Sequence, residues 1–583
     1  MRAGLTAGLL ALALALPAGA QTPSQRLATL AERYYDGYYA LFPLQATENT
    51  GDPRFEAALE IDIAPDHRLR QREFYAATLR ELSRIDTRRL DAEERTTHAL
   101  LTHEARDHLA LLRFPSHLLP LTQMDGLPSQ LAEYASGNAA QPLHTLQQHE
   151  HFLHRLSRLP AWVDQAIANM REGLAQGVTQ PRPLMERVLA QVDALAVAEA
   201  NPFLQAAARL PEGEPQAEQL RAAYARTVND EIRPALLRLR GFIADTYLPR
   251  CRTTAGLSDL PDGTAWYRAL VRSRTTTGLD ARAIHALGLR EVARIQREIA
   301  AVQGEFGDSG PLSSFLAHVN ERPELRPFKT EAEVLAAYAA LNRDIEAGLP
   351  RLFRRAPRAR LEIRPVDPLR LATASDGYTP PAQDGSRPGV FNVVVQDAPA
   401  YSISGMASLL LHEGQPGHHD QMALQQELTA LPRFRRFLWY DAYGEGWALY
   451  AESLGSELGV YTDRAARLGR LTNELHRAVR LVLDTGLHAF GWTREQALRY
   501  EMDAEGYDET EARRYVERYM AWPAQALAYK LGELRILALR ERARTALGAR
   551  FDVRDFHAQV LDAGSLPLDL LEQRIDAWLA ASR

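Results

Sequence analysis

The chain has 583 residues, 46% of them hydrophobic and 24% charged, with a formal net charge of −6 and a single cysteine, Cys251. Acids and bases are interspersed, so no basic face recommends a nucleic-acid partner, and a lone thiol excludes an intrachain disulfide. Stability has to come from packing, and the length permits several domains or one large helical body.

The first twenty residues carry Arg2, an apolar run from Leu9 to Leu16, and small residues at Ala18 and Ala20. They read as a secretory signal with an Ala-x-Ala cleavage site, and the mature chain is expected to begin at Gln21. Residue 21 is not cysteine, which argues against a lipoprotein. The run is short for a bilayer, and no later segment offers about 18 uninterrupted apolar residues, so no stable membrane span is expected. The expected location is the periplasm or the cell exterior.

From Thr22 onward apolar residues recur at three- and four-residue spacing within charged, Ala- and Leu-rich segments, the period of a helix. Clear helices are predicted over 92–112, 214–245, 280–304, 464–490 and 524–546, separated by Pro/Gly turns such as Pro211-Glu-Gly and Pro261-Asp-Gly. One region departs from this. Leu361 to Ala400 is rich in Pro, Gly, Asp and Thr, and Gly389 to Val395 reads as a short strand entered from the turn at Asp384 to Gly389. It leads into the apolar run Met406 to Leu411 and then His412.

The segment at 412–419 is His-Glu-Gly-Gln-Pro-Gly-His-His. In the usual zinc-peptidase helix two histidines four residues apart share a face, and the glutamate after the first is the general base. Pro416 breaks that spacing. On an unbroken helix His418 would point roughly 120° away from His412, and His419 would align with it about 10.5 Å further along the axis. A break at Pro416-Gly417 could draw the next turn back towards His412, which leaves both His418 and His419 open as the second ligand. The dipeptide His-Glu also occurs at His103-Glu104, with His108 nearby, and at His149-Glu150, with His151 and His154; both lie in highly charged helices and read as solvated faces. What singles out the third is Gly444-Glu445-Gly446-Trp447-Ala448-Leu449-Tyr450-Ala451-Glu452. Glu445 and Glu452, seven apart, share a helix face, so one carboxylate can reach a metal while the other holds a ligating histidine by its second ring nitrogen. Gly444 and Gly446 would admit a neighbouring helix.

HEGQPGHH and EGWALYAE, followed by RAVRLVLDTGLHAFGWTREQAL from Arg477 and YMAWPAQALAYKLGEL from Tyr519, resemble the bacterial domain-of-unknown-function 885 family over most of the mature chain. That family is regarded as related to the glutamate-zincin peptidases, among them the thimet oligopeptidase, angiotensin-converting enzyme and carboxypeptidase Taq families. The resemblance implies that Gly417-His418 matches the Gly-His closing their helix motif, which favours His418 over His419. It implies that Glu445 is the zinc ligand of the seven-residue pair. It also implies that Tyr529, in Tyr-Lys-Leu-Gly after Pro523, lies near the zinc. This chain carries two more residues between Glu413 and Gly417 than those peptidases do.

The expected zinc site is thus His412, His418 and Glu445, with Glu452 behind His412, Glu413 as general base and Tyr529 as oxyanion donor. His419 is the alternative ligand or a substrate contact. Asp484 and His488 form a second polar group in an apolar helix, open to a substrate role or a buried structural one. A substrate carboxylate would need a cation such as Arg387, Lys530 or Arg535, and the strand Val390 to Val395 resembles the edge on which such peptidases lay an extended substrate. The expected fold is mainly α, a single large domain over 21–583 in two helical lobes around a deep cleft. A small β element stands beside the zinc helix, and the zinc-site region covers 384–532. The expected activity is zinc-dependent hydrolysis of short peptides. The rivals are a zinc hydrolase of another amide or ester and a non-catalytic periplasmic binding protein.

Overall fold

In a computed structural model the described residues are 21–582, apart from 138, 198–200, 367–370, 372–374, 383, 384 and 386. The expected secretory signal lies outside them. The chain is mainly helical, with a single small sheet among the described residues. None of the described helices is long and apolar enough to cross a membrane.

The helical period locates its elements closely. The segment predicted over 92–112 is the helix Ala92–Leu111, opened by a capping box between Asp91 and Glu94. The segment over 214–245 is helical from Pro215 onward in consecutive pieces. The helix α1 (Ala281–Glu305) starts at Asp280, whose carboxylate accepts from the Ala283 N–H. Only towards the C-terminus does a boundary move. Ala524 takes a left-handed conformation (φ 69°), a short 3-10 turn follows, and regular helix begins at Ala528.

The sheet joins β1 (Leu361–Pro365), β2 (Gly377–Thr379) and β3 (Gly389–Val393) in the order β1-β3-β2, with β1 parallel and β2 antiparallel to β3. The predicted strand is β3, and it is the central one. Both its edges are paired, so Val390 to Val393 cannot receive an extended substrate, and that expectation is corrected. The outer edge of the sheet on this side belongs to β2.

Six further helices position the site. They are α2 (Met406–Glu413), α3 (His418–Gln426), α4 (Asp441–Ser453), α5 (Arg464–Ala489), α6 (Glu509–Ala521) and α7 (Ala528–Leu547). In its second half α5 is buried on every side, from Ala478 to His488. A helix enclosed in this way must satisfy most of its polar side chains internally. It packs on α1, where Gly288 lies against Leu481 and Val482. Helices α4 and α7 cross at two glycines: a Cβ on Gly446 would stand 2.4 Å from the Gly532 Cα, and one on Gly532 would stand 1.9 Å from the Ala442 carbonyl oxygen. The expectation of close helix approach therefore holds for Gly446. Gly444 instead accommodates the Trp439 ring.

Candidate metal centre

Helix α2 places His412 beside its apolar residues Leu410 and Leu411, all three buried. Gly414 closes the helix with an N–H donated to the Leu410 carbonyl, and the chain then turns through Gln415-Pro416-Gly417. The Trp447 indole N–H fixes this turn by donating to the Pro416 carbonyl at 2.8 Å. Gly417 lies directly on the end of α2: a Cβ there would stand 2.0 Å from the His412 carbonyl oxygen and 2.3 Å from that of Leu411. Its φ is −73°, so the need for glycine here is one of space. Without a side chain, α3 starts against α2 and the His418 ring comes 4.9 Å from the His412 ring, nearly perpendicular to it.

Glu445 on α4 meets both rings. Its Oε2 is 3.6 Å from His412 Nε2 and 3.5 Å from His418 Nε2, and the three potential ligand atoms lie within 4.8 Å of one another. Ligands held about 2.0–2.1 Å from one tetrahedral ion stand roughly 3.4 Å apart, so the spacing and the two-nitrogen, one-oxygen donor set fit zinc. On the far side of His412, Nδ1–H donates to Glu452 Oε1 at 2.8 Å. Ser408, one helical turn before His412, donates to the other carboxylate oxygen. This fixes the ring and leaves Nε2 facing Glu445. Burial opposes a charged His412, but Glu445 and Glu452 outweigh it and hold the ring up at about 9. Burial likewise opposes the Glu445 charge, and the two histidines override it to hold the carboxyl well below the usual range.

Glu413 is half-buried and faces a cavity of about 1380 Å³ that also receives His412, His418, Glu445 and Tyr529. Its carboxylate has no hydrogen-bond partner among the described residues. Tyr529 stacks 6.5 Å from the His412 ring, tilted by 14°. Burial, with the charge of Glu445, pushes its phenol up, so it keeps its proton and can donate. Asp376, just before β2, also lines the cavity, and burial reinforced by Glu413 pushes it up to about 6.

The remaining expected residues go elsewhere. His419 Nδ1 accepts from the Tyr378 hydroxyl at 2.9 Å, and its Nε2–H donates to the Ala359 carbonyl at 3.1 Å. Both nitrogens are used in joining α3 to the sheet, so His419 is a structural histidine. Asp484 accepts from Tyr267 at 2.5 Å and from the Ala524 N–H. His488 accepts from the Leu257 N–H and donates to the Tyr519 carbonyl. Both are interior ties of α5, and the substrate role is corrected. Lys530 is fully buried and paired with Glu474 at 2.7 Å and Glu533 at 2.6 Å. Arg535 pairs with Glu572 at 2.8 Å, and Arg387 donates to the Pro380 carbonyl. None of these three cations lines the cavity. Of the upstream clusters, Glu104 accepts from the Tyr440 hydroxyl and His108 stacks on Tyr75, while His149 is buried against Tyr224. Glu104, His108 and His149 are packing contacts and not the solvated faces expected, whereas Glu150 and His154 are exposed as expected.

The cavity also shows residues the sequence reading passed over. Arg477 and Arg480 from α5 and Arg514 and Arg518 from α6 line it, beside His476. Their spacings of three and four residues place each pair on one helix face, a signal present in the sequence but overshadowed by the histidines. Beneath them His476, Glu501 and Glu505 form the second group of potential metal ligands among the described residues. The guanidiniums around it disfavour a second cation and suit it to balancing their charge.

A family profile described as bacterial protein of unknown function, DUF885, matches residues 43–575, and the chain belongs to that family. No curated protein matches the chain. Its fold is that of a candidate lipoprotein from Colwellia psychrerythraea, 28% identical, with a TM-score of 0.89 over 96% of this chain and 100% of that one. A candidate lipoprotein of unknown function from Shewanella oneidensis, 17% identical, gives a TM-score of 0.74 over 95% of this chain and 99% of that one.

Proposed function

We propose that this member of the DUF885 family is a zinc-dependent peptidase of the bacterial cell envelope that hydrolyses short peptides, on a two-lobed helical fold of the zincin kind. The observation that carries the reading is the convergence of His412 Nε2, His418 Nε2 and Glu445 Oε2, with separations of 3.5 and 3.6 Å from the carboxylate, at the wall of a cavity that Glu413 and Tyr529 also face. The envelope location is supported by the expected signal and by the description of two similar structures as candidate lipoproteins.

His412, His418 and Glu445 would hold the zinc, and Glu452 orients His412 for it. When bound, zinc supplies a Lewis acid for a carbonyl oxygen and lowers the pKa of water. Glu413, with no other partner among the described residues, accepts the proton of the attacking water and passes it to the leaving amine. Tyr529, protonated and stacked beside His412, donates to the oxygen on which negative charge develops. The resemblance to the zincin peptidases, with a cavity of about 1380 Å³, supports short peptides over folded proteins as substrates. The cavity wall includes the sheet edge at Tyr378, the outer one among the described residues, where a peptide backbone can be held.

The test is hydrolysis of a peptide library, beside amide and ester substrates, by zinc-loaded wild type and Glu413→Ala. Peptide turnover that chelator abolishes, and that Glu413→Ala loses while keeping its zinc, supports the reading. Exclusive turnover of esters or non-peptide amides would replace it with another zinc hydrolase. Unchanged biological activity in Glu413→Ala would replace it with a binding protein.

A further inference from the structure

We infer that Arg480, with Arg477, Arg514 and Arg518, forms a carboxylate-binding subsite for the free C-terminus of the peptide, which makes the enzyme one that trims from that end. The inference rests on the peptidase reading and adds the substrate class.

Arg480 is only 5% exposed. Among the described residues no carboxylate oxygen lies within 4.0 Å of it, and its Nε has no hydrogen-bond partner. A buried guanidinium with no carboxylate at hydrogen-bond distance is balanced only from afar, so a bound anion would complete it. Its close contacts are neutral: Nη2 donates to His476 Nε2 at 2.8 Å, and the guanidinium lies over the Tyr529 ring at 4.7 Å and the Tyr519 ring at 5.9 Å. His476 in turn donates from Nδ1 to Glu505. Glu501 and Glu505 therefore supply diffuse balancing charge from behind, leaving the guanidinium fork towards the cavity. The Nε atoms of Arg477 and Arg518 are also buried without a partner. Arg514 donates to the Tyr515 hydroxyl. No ion pair is formed by any of the four among the described residues, whereas Arg187 on the same wall pairs with Glu517 at 3.2 Å. The one acidic side chain on this part of the wall is Glu511, which is exposed.

Distance selects the terminus over a remote acidic group. The Tyr529 ring stands between the two parts of the site, 6.5 Å from the His412 ring on one side and 4.7 Å from the Arg480 guanidinium on the other. The guanidinium is therefore within about 11 Å of the metal-site histidine. An extended peptide advances about 3.3–3.6 Å per residue, so the anion it holds lies no more than three residues beyond the scissile carbonyl. Guanidinium forks match carboxylates in two-pronged hydrogen bonds, which fixes register as well as charge.

The test uses the full chain, zinc-loaded, and N-acetylated tetra-alanine with either a free or an amidated C-terminus. A third peptide is amidated but carries Glu at the last position. Binding is measured by calorimetry on Glu413→Gln, so that it is read without turnover, and kcat/KM is measured on the Glu413 enzyme. The free acid should bind and react roughly 10- to 100-fold better than the amide, the margin of a charged hydrogen-bonded pair. Arg480→Lys and, as a variant at a less buried position, Arg477→Ala should each narrow that margin. A margin present for the free acid but absent for the amidated Glu peptide identifies the terminus. Equal binding of acid and amide, a preference carried by the Glu side chain alone, or no binding of the acid would overturn the subsite. Acid preference in binding without hydrolysis of any peptide would sink the peptidase reading and leave the subsite standing.

Discussion

Gly417→Ala isolates the geometry on which the site depends. The added methyl would stand 2.0 Å from the His412 carbonyl oxygen, 2.3 Å from the Leu411 oxygen and 2.6 Å from the His412 carbonyl carbon, where ordinary contact begins near 3.4 Å. These are backbone atoms of α2, which has no rotamer by which to yield. Relief requires α2 and α3 to part by about 1 Å, whereas metal ligands tolerate about 0.2 Å. His412 and His418 sit on opposite sides of that contact, so they would no longer share an ion. Zinc affinity should fall by more than the roughly 10- to 100-fold that loss of an outer-shell partner costs. A competition titration against a chelator of known affinity measures this, with a circular-dichroism melt to show that the fold persists. Gly405→Ala is the control, because its Cβ would meet nothing within 4 Å. A folded Gly417→Ala protein with wild-type zinc affinity, or an equal loss in Gly405→Ala, refutes the reasoning.

Glu452→Ala leaves the His412 Nδ1–H without its acceptor, and the same titration should show zinc binding about 10- to 100-fold weaker. Tyr529→Phe should retain zinc and lose roughly 10²- to 10³-fold in kcat with little change in KM; a change in kcat below threefold would remove Tyr529 from the chemistry. Asp484 reports on the interior of α5. Burial pushes its carboxyl up to about 7 against the hydrogen bonds from Tyr267 and Ala524. Between about pH 4 and 7 the folded chain holds a proton that the unfolded chain has lost, so stability from this site falls as pH rises through that window and is level above it. Thermal melts should therefore show Asp484→Asn gaining on wild type from pH 4 to pH 7 and no further by pH 8.5. A constant difference across that range would contradict the assignment.

Much of the fold was legible because helices dominate it, and a 3.6-residue period survives in a single sequence. The ends of Ala92–Leu111 and α1 follow from caps at Asp91 and Asp280. Pairing was not legible in the same way. Gly389 to Val393 reads as a strand, but its place at the centre of the sheet depends on β1 and β2, which are short and partly exposed. Within the site the seven-residue spacing of Glu445 and Glu452 was enough to set one carboxylate between His412 and His418 and the other behind His412. The choice between His418 and His419 needed the turn in three dimensions, because it is the Gly417 contact and the Tyr378 and Ala359 partners that separate them. Arg535 could not be told from a free cation, since its partner Glu572 is distant in sequence, whereas the Glu533 partner of Lys530, three residues on along the same helix, was there to be read. Arg480 was passed over for the converse reason: a charged residue in an apolar helix looks like a paired core group until the structure shows no carboxylate in direct contact with it.

The most direct measurement of the central claim is zinc content by atomic absorption after metal reconstitution and dialysis, for wild type beside His418→Ala and His419→Ala. The account predicts one tightly held zinc in wild type, retention in a folded His419→Ala protein, and loss in His418→Ala. Wild type without zinc, or a His418→Ala protein that keeps it, would contradict the account.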